Sequence, residues 1–356
     1  MLILSINPKF PIIIFFAILN CFLWSILFTQ LYYFGRQKIN AILAFFAPLL
    51  LLIPDFSHVF FLRGYGLPLG TSFSAISLCI GSIFIILALQ KQRPILSVIG
   101  GLFFAFAGYI WSLADGILVY MSCCLFFLIA LCFVYKLFTQ GKEFFLSLKG
   151  SQFPFFMNCT IAFLTFWFVT LPYRIYMQSL NMISTTHIMT MIWKLPLGWD
   201  APQYTNNWIW RGGGFSFCRA YPDVCQDLHN KTNLHSDLVY LKQLAIKTFM
   251  TDPIAIFMWK IPYLYNFWMQ DFFTQNITIV LSFFLITILF LIRPSKTGAV
   301  LTFFSLGIFF TTCLALLLTH IELRYFYISK FYLCFAALLS VYSFMKDKLI
   351  EKKFHN

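Results

Sequence analysis

Long apolar runs recur along the whole chain and restrict the folds that it can adopt. A helix that crosses the hydrocarbon core of a bilayer needs about 20 largely apolar residues, and the sequence contains about nine such stretches. Hydrophobic residues make up 60% of the chain and charged residues 10%. This composition differs strongly from that of soluble domains. The sequence therefore predicts an all-α fold, a polytopic transmembrane helical bundle. The predicted spans cover residues 11–34, 39–54, 69–90, 94–112, 116–138, 153–173, 276–293, 298–319 and 326–345.

The first two spans need separate arguments. The run from Pro11 to Phe34 follows a single Lys9, has no small-residue cleavage site and exceeds the apolar core of a signal peptide, so we expect it to remain as a span. The second span is short and ends at Pro54, which fits either a tilted helix or one that stops short of the far surface.

Basic residues divide unequally between the two sets of short connections. Cytoplasmic loops carry the excess of Lys and Arg in membrane proteins, so the net charge of +13 is attributed to this bias and not to nucleic-acid binding. One set of connections contains thirteen basic residues and the other contains four. This difference predicts a cytoplasmic C-terminus and an external N-terminus, consistent with a bacterial inner membrane whose periplasmic face is external. The richer set is Arg36, Lys38, Lys91, Arg93, Lys136, Lys142, Lys149, Arg293, Lys296, Lys346, Lys348, Lys352 and Lys353, and the poorer set is Lys9, Arg63, Arg324 and Lys330.

The span pattern predicts three parts. Residues 1–173 form an N-terminal bundle of about six spans, residues 174–275 one long external loop, and residues 276–356 about three spans with a basic cytoplasmic tail. In the loop, Cys218 and Cys225 flank a proline in "CRAYPDVC" and are expected to form a disulfide in an oxidising compartment; the alternative is two free thiols. The stretch "SDLVYLKQLAIKTFM" predicts an amphipathic helix, lying either on the outer leaflet or under its own loop.

The stretch "LLLTHIELRYFY" places three ionisable residues between two apolar runs. Residues four apart share a helix face, so His320 and Arg324 can point the same way while Glu322 points elsewhere. Arg324 then needs an anion from another helix or from a ligand, and its planar guanidinium suits a phosphate. The alternative is ordinary anchoring at the level of the lipid headgroups.

Other polar residues are weaker functional candidates. Asp115 in "LADGI" is a candidate general base, although aspartate is also a common turn residue. The histidines are too scattered to predict a metal site, and no zinc-protease or paired Cys-x-x-Cys motif occurs. Sequons for N-glycosylation begin at Asn158, Asn230 and Asn276, and they matter only in a eukaryotic cell.

Several blocks, taken in order, resemble the GT-C superfamily of integral-membrane glycosyltransferases, which includes protein O-mannosyltransferase-like and aminoarabinose-transferase-like enzymes. The resemblance covers most of the chain, and the order of the blocks is more specific than any one of them. The blocks are "LYYFGRQKINAILAFFAPLLLLIPDFSHVF" (31–60), "RPILSVIGGLFFAFAGYIWSLADGILVY" (93–120), "TLPYRIYMQ" (170–178), "AIKTFMTDPIAIFMWKIPYLYNFW" (245–268) and the late-span motif "HIELRY".

The resemblance implies a sugar transfer on the external face, from a polyprenyl-phosphate donor to a lipid or envelope glycan acceptor. Some relatives use a divalent metal, but no ligand set in this chain requires one. Nucleic acid is not an expected partner. By this resemblance the donor phosphate would meet Arg324, His320, Tyr325 and Arg174, and the weaker candidates for acceptor or base duties are Glu322 and Asp115.

The chain departs from the family at its beginning. Family members start with a span and an acidic external loop that supplies the catalytic base, whereas the first carboxylate here is Asp55. We therefore expect a truncated start, a separate polypeptide that supplies the missing part, another acid in its place, or an inactive relative. An inactive relative would bind a lipid-linked sugar or scaffold a partner enzyme. A transporter is the third and least favoured hypothesis, because most charges lie at span ends and not within the spans.

Overall fold

The described part of the chain is helical throughout. The computed structural model describes residues 12–37, 39–52, 68–110, 112–140, 153–179, 285–288, 295–318 and 323–354, and it contains no strand within them. This confirms the all-α prediction. The helices are α1 (Ile12–Arg36), α2 (Ala41–Phe46, continued by a 3-10 helix, Ala47–Leu52), α3 (Pro68–Lys91), α4 (Ile95–Ile110), α5 (Ser112–Gln140), α6 (Phe153–Ser179), α7 (Lys296–Leu318) and α8 (Leu323–Phe354).

Five of the described helices are long and apolar enough to cross a membrane. They are α1, α3, α5, α6 and α7, and two shorter apolar helical stretches, Ile95–Ile110 and Ile328–Ser343, accompany them. Large apolar side chains such as Phe22, Phe127 and Phe168 are more than half exposed, which suits contact with lipid. The chain is therefore a membrane protein. The total of nine spans, the long loop and the choice of membrane remain predictions.

The chain divides into two compact units. The first unit comprises Met1–Thr170, Ile277–Ile308 and Tyr327–Asn356, and the second comprises Leu171–Asn276 and Phe309–Phe326. Most described residues belong to the first unit.

Aromatic side chains from four helices meet in the centre of the first unit. The ring of Phe304 on α7 lies 5.3 Å from that of Phe104 on α4 and 6.0 Å from that of Phe163 on α6. The ring of Tyr332 on α8 completes the cluster at 6.4 Å from Phe304. Pairs at such distances add van der Waals and quadrupole attraction, which drives helix packing where lipid is as apolar as the protein. The high phenylalanine content thus fills the inside of the bundle as well as its lipid-facing surface.

Glycines let the helices approach closely in two helix pairs, α3 with α4 and α4 with α6. A Cβ on Gly81 of α3 would lie 2.4 Å from the Phe104 ring, and one on Gly100 of α4 would lie 2.8 Å from the carbonyl oxygen of Gly81. On the next helix pair, a Cβ on Gly101 would lie 2.4 Å from the carbonyl oxygen of Ala162. Small residues at helix contacts are the usual means of bringing helices together in membranes.

Paired contacts show the relative directions of the helices. Trp24 on α1 contacts Phe331 on α8, and eleven residues on in each helix Gly35 approaches Tyr342, so α1 and α8 run parallel. Hydrogen bonds join Ser97 to Asn158 and Tyr109 to Val169, so α4 and α6 also run parallel. Both directions agree with the alternation of spans predicted from the sequence.

The second predicted span is not one continuous α-helix. The Asn40 side chain caps α2 by accepting a hydrogen bond from the backbone N–H of Ile42 (2.9 Å). After Phe46 the backbone tightens into the 3-10 helix that holds Pro48, which has no N–H to donate. The two pieces together hold twelve residues, fewer than a bilayer-crossing helix needs, and Pro54 lies outside the described residues.

Candidate functional site

The donor-phosphate hypothesis rests on the "HIELRY" motif, and the structure describes only the second half of this motif. Arg324 and Tyr325 lie in the first turn of α8, and their side chains are not described. His320 and Glu322 lie outside the described residues, between the end of α7 at Leu318 and the start of α8. The shared helix face of His320 and Arg324 therefore stays a prediction. Arg324 itself is placed where the N–H groups of a helix start create partial positive charge.

Asp115 lies within α5 and not in the turn before it. The carboxylate is in the first turn of this helix, where the free N–H groups favour an acidic side chain. Its Oδ1 lies over Gly108 of α4, since a Cβ on this glycine would be 3.1 Å from Oδ1 and 3.3 Å from the Phe166 ring. The side chain is half-buried. The structure thus places Asp115 in the first turn of a helix, whereas the predicted spans leave it in the connection between them, and its role as a general base stays a prediction.

Arg174 lies within α6 and not at the exit from it. The sequence "TLPYR" predicts a helix end near residue 173, but α6 continues through Pro172 to Ser179. Arg174 is half-buried, whereas its neighbours Tyr173 and Ile175 are exposed. The described end of this helix therefore presents one partly covered cation among exposed apolar side chains.

Hydroxyl groups bond the α6 backbone just before Pro172. The Tyr109 hydroxyl of α4 donates to the carbonyl oxygen of Val169, and Thr170 Oγ1 donates to that of Phe166 at 2.8 Å. A proline inside a membrane helix leaves carbonyl groups without their normal donors, and neighbouring helices or Ser and Thr side chains commonly replace them. These two bonds hold the α6 backbone in the turn before Pro172.

Lys330 is a buried cation that the sequence argument assigned wrongly. The poorer set of loop charges includes it, but it lies in α8, between Ser329 and Phe331, and is 6% exposed. A lysine that anchors a helix end extends its ammonium to water, whereas this side chain is enclosed. The available signal was the sequence itself, because "FYISKFYLCF" places the lysine inside an apolar run. Removing Lys330 from the loop count leaves the predicted orientation unchanged.

The remaining predicted sites divide between the described and the undescribed residues. Cys218, Cys225 and the amphipathic helix after them lie outside the described residues. The sequon at Asn158 is buried: its Oδ1 accepts from Ser97 Oγ at 2.7 Å, and its Nδ2 donates to the Pro154 carbonyl oxygen at 2.7 Å. A glycan on Asn158 is incompatible with this packing. Within the described ranges no group of three or more metal-ligating side chains forms.

Comparison of the chain with protein-family models, with curated proteins and with solved structures finds no match.

Proposed function

We propose that this chain is a GT-C-like membrane glycosyltransferase that transfers a sugar from a polyprenyl-phosphate donor to a lipid or envelope glycan acceptor. The observation that carries the proposal is the order of the sequence blocks, which ends at "HIELRY". The all-helical membrane architecture is compatible with it. Arg324 would hold the donor phosphate, with His320, Tyr325 and Arg174 as further contacts.

The position of Arg324 adds a physical argument. A helix start carries partial positive charge from its unpaired N–H groups, and an arginine in the same turn adds a full positive charge. The two positive charges lie close together, so a bound anion stabilises this end of the helix. A phosphate satisfies both. A carboxylate from Glu322 or from another part of the chain is the competing partner, and an assay must separate the two.

The test is a transfer assay with purified chain, a polyprenyl-phosphate sugar and a membrane extract as acceptor source. Arg324→Ala should reduce kcat/KM for the donor by about 10- to 150-fold, because loss of a hydrogen bond to a charged group costs roughly 1.5–3 kcal/mol. Lys348→Ala, which removes a cation from the far end of the same helix, is the matched control and should leave donor use unchanged. Equal loss in both variants, or none in Arg324→Ala, would leave Arg324 as an anchoring residue.

Two alternatives predict different results in the same assay. An inactive relative would retain the lipid-linked sugar in an Arg324-dependent way but release no product. A transporter is favoured by one observation, the burial of Lys330 within α8, because ionisable residues inside membrane helices often mark a transport pathway. It would move a labelled substrate across proteoliposomes, and Lys330→Met would abolish this movement.

A further inference from the structure

The chain between α3 and α4 forms a short turn that carries two cations. Lys91 ends α3, Arg93 lies two residues before α4, and both side chains are exposed. The backbone of Arg93 is bonded on both sides, because its N–H donates to the Ala88 carbonyl oxygen and its carbonyl oxygen accepts from the Leu96 N–H, each at 3.1 Å. Hydrogen bonds thus hold the backbone that carries the two positive charges. We call residues 91–93 the basic turn.

A third basic residue lies near the basic turn. The Gln90 side chain donates from Nε2 to Thr297 Oγ1 at 3.1 Å, which brings Lys296, the first residue of α7, close to the end of α3. Neither residues 85–100 nor residues 295–305 include an Asp or a Glu. No carboxylate in these two segments therefore neutralises the positive charge at the ends of the helices, and this charge favours an anionic partner.

An exposed apolar stripe leads away from the basic turn along α4. Ile95 is 62% exposed, Leu102 47% and Tyr109 38%, and no other residue of α4 is exposed. Residues seven apart lie on one face of a helix, two turns from each other. The part from Ile95 to Leu102 is about 10 Å long, less than the roughly 15 Å of hydrocarbon in one leaflet. In a membrane protein such a face contacts acyl chains.

The basic turn and the α4 stripe are continuous, because Pro94 and Ile95 are exposed as well. An anionic phospholipid has the matching arrangement, a charged phosphate at the membrane surface and acyl chains below it. We propose that the basic turn and the α4 stripe form one binding site for an anionic phospholipid of the surrounding bilayer. The arginine fork holds the phosphate and the lysine adds a point charge, while one acyl chain lies along Ile95 and Leu102.

Charge complementarity is the reason for choosing a lipid. Clusters of Lys and Arg beside a membrane helix attract anionic headgroups, and each basic residue contributes about a fivefold gain in affinity, which corresponds to about 1 kcal/mol. A zwitterionic lipid carries a compensating positive group and gains less. The proposal does not depend on sugar transfer or on the orientation of the chain, because it uses only residues of α3, α4 and the turn between them.

The headgroup contact is tested by native mass spectrometry of the full chain in a neutral detergent. Phosphatidylglycerol is titrated against phosphatidylcholine with the same acyl chains, and the wild-type chain should retain phosphatidylglycerol more tightly. Arg93→Gln should raise the apparent Kd for phosphatidylglycerol about fivefold and leave that for phosphatidylcholine within about twofold. Arg36→Gln, which removes an exposed cation at the end of α1, is the matched control and should leave both values unchanged.

Three outcomes would overturn the headgroup contact. Equal retention of the two lipids by the wild-type chain would remove the charge preference. Equal losses in Arg93→Gln and Arg36→Gln would show a general attraction to basic residues and not a site. Displacement of the lipid by a tenfold excess of soluble glycerol phosphate would assign the basic turn to a free phosphate compound. Arg93→Lys keeps the charge and should lose less affinity than Arg93→Gln.

The acyl-chain contact is tested with two leucines of similar exposure. Leu102→Asn places a polar group on the α4 stripe and should raise the apparent Kd for phosphatidylglycerol about three- to tenfold, because an amide is unfavourable against an acyl chain. Leu128→Asn makes the same change on α5, where the leucine is 44% exposed, and should leave this Kd unchanged. Melting temperatures of both variants show whether the fold is retained. Equal effects on lipid retention would overturn the assignment of the α4 stripe.

Discussion

Gln92 has the one backbone conformation in the described residues that a side chain disfavours. It joins α3 to α4 with a positive φ of 54°, in the left-handed region where glycine is the usual residue. The backbone N–H of Arg93 then bonds the carbonyl oxygen of Ala88 at 3.1 Å, which closes the end of α3. This tight turn returns the chain directly into α4, so the packing of α3 against α4 offsets the conformational cost at Gln92.

Replacement of Gln92 by glycine should therefore stabilise the protein. Gln92→Gly removes the left-handed strain and should raise the free energy of unfolding by about 0.5–1 kcal/mol, visible as a higher melting temperature in detergent. Gln90→Gly, two residues earlier and inside α3, should lower it, because a glycine in a helix interior is unfavourable. This second change also removes the hydrogen bond that Gln90 Nε2 donates to Thr297 Oγ1 of α7 at 3.1 Å. A lower melting temperature for Gln92→Gly would contradict the argument.

Single residues also mark where the sequence is informative and where it is not. The charge and position of Arg324 make it a candidate anion-binding residue from the sequence alone, because its spacing from Glu322 can be counted. The enclosure of Lys330 depends on residues far away in the chain, so counting charges in apparent loops could not reveal it. The bond between Tyr332 Oη and Ser82 Oγ, at 2.7 Å, joins residues 250 positions apart and is equally invisible to local patterns.

At the scale of helices, the apolar runs predict where most spans lie but not how they end. The starts and ends of α3, α4 and α7 lie within a few residues of the predictions. The sequence predicts an end for α6 near Pro172, because proline usually stops a helix, but α6 continues to Ser179, and the Tyr109 hydroxyl of α4 bonds the Val169 carbonyl oxygen just before the proline. Tertiary contacts of this kind override local preference, which is why helix ends are the least predictable part of such a fold.

The contact between α4 and α6 depends on the absence of a side chain at Gly101. A Cβ there would lie 2.4 Å from the Ala162 carbonyl oxygen and 2.6 Å from the Thr165 Cβ, both of which are fixed to the α6 backbone. Gly101→Ala should therefore push the two helices apart and lower the free energy of unfolding by about 1–3 kcal/mol, the usual cost of overpacking. Thermal unfolding in detergent measures it.

Gly116 on α5 supplies the matched control. A Cβ on this residue meets no atom within 4 Å, so Gly116→Ala gains helix propensity without a clash and should be neutral or stabilising by up to about 1 kcal/mol. The same substitution is thus expected to act differently at two helical glycines. Equal melting temperatures for the two variants would contradict the close approach of α4 and α6.

At the scale of the whole molecule, the composition was sufficient to predict a helical membrane protein. Few soluble arrangements can bury so many apolar residues, so fold class follows from counting. The candidate site is less predictable, because it depends on which helix ends lie together and on the long loop. The relative directions of α1 with α8 and of α4 with α6 agree with the predicted alternation, which makes the orientation in the membrane the next property to test.

Single cysteines in a chain whose native cysteines are replaced can test this orientation. An excess of Lys and Arg in one set of loops predicts that Gln92→Cys and Lys348→Cys react with a membrane-impermeant thiol reagent only after the cells are permeabilised. Asn207→Cys, in the predicted external loop, should react in intact cells. The reverse pattern for all three would invert the orientation and place the phosphate-binding hypothesis for Arg324 on the cytoplasmic face. Labelling of Gln92→Cys and Lys348→Cys from opposite faces would contradict the alternation of spans itself, because an even number of crossings must separate the two positions.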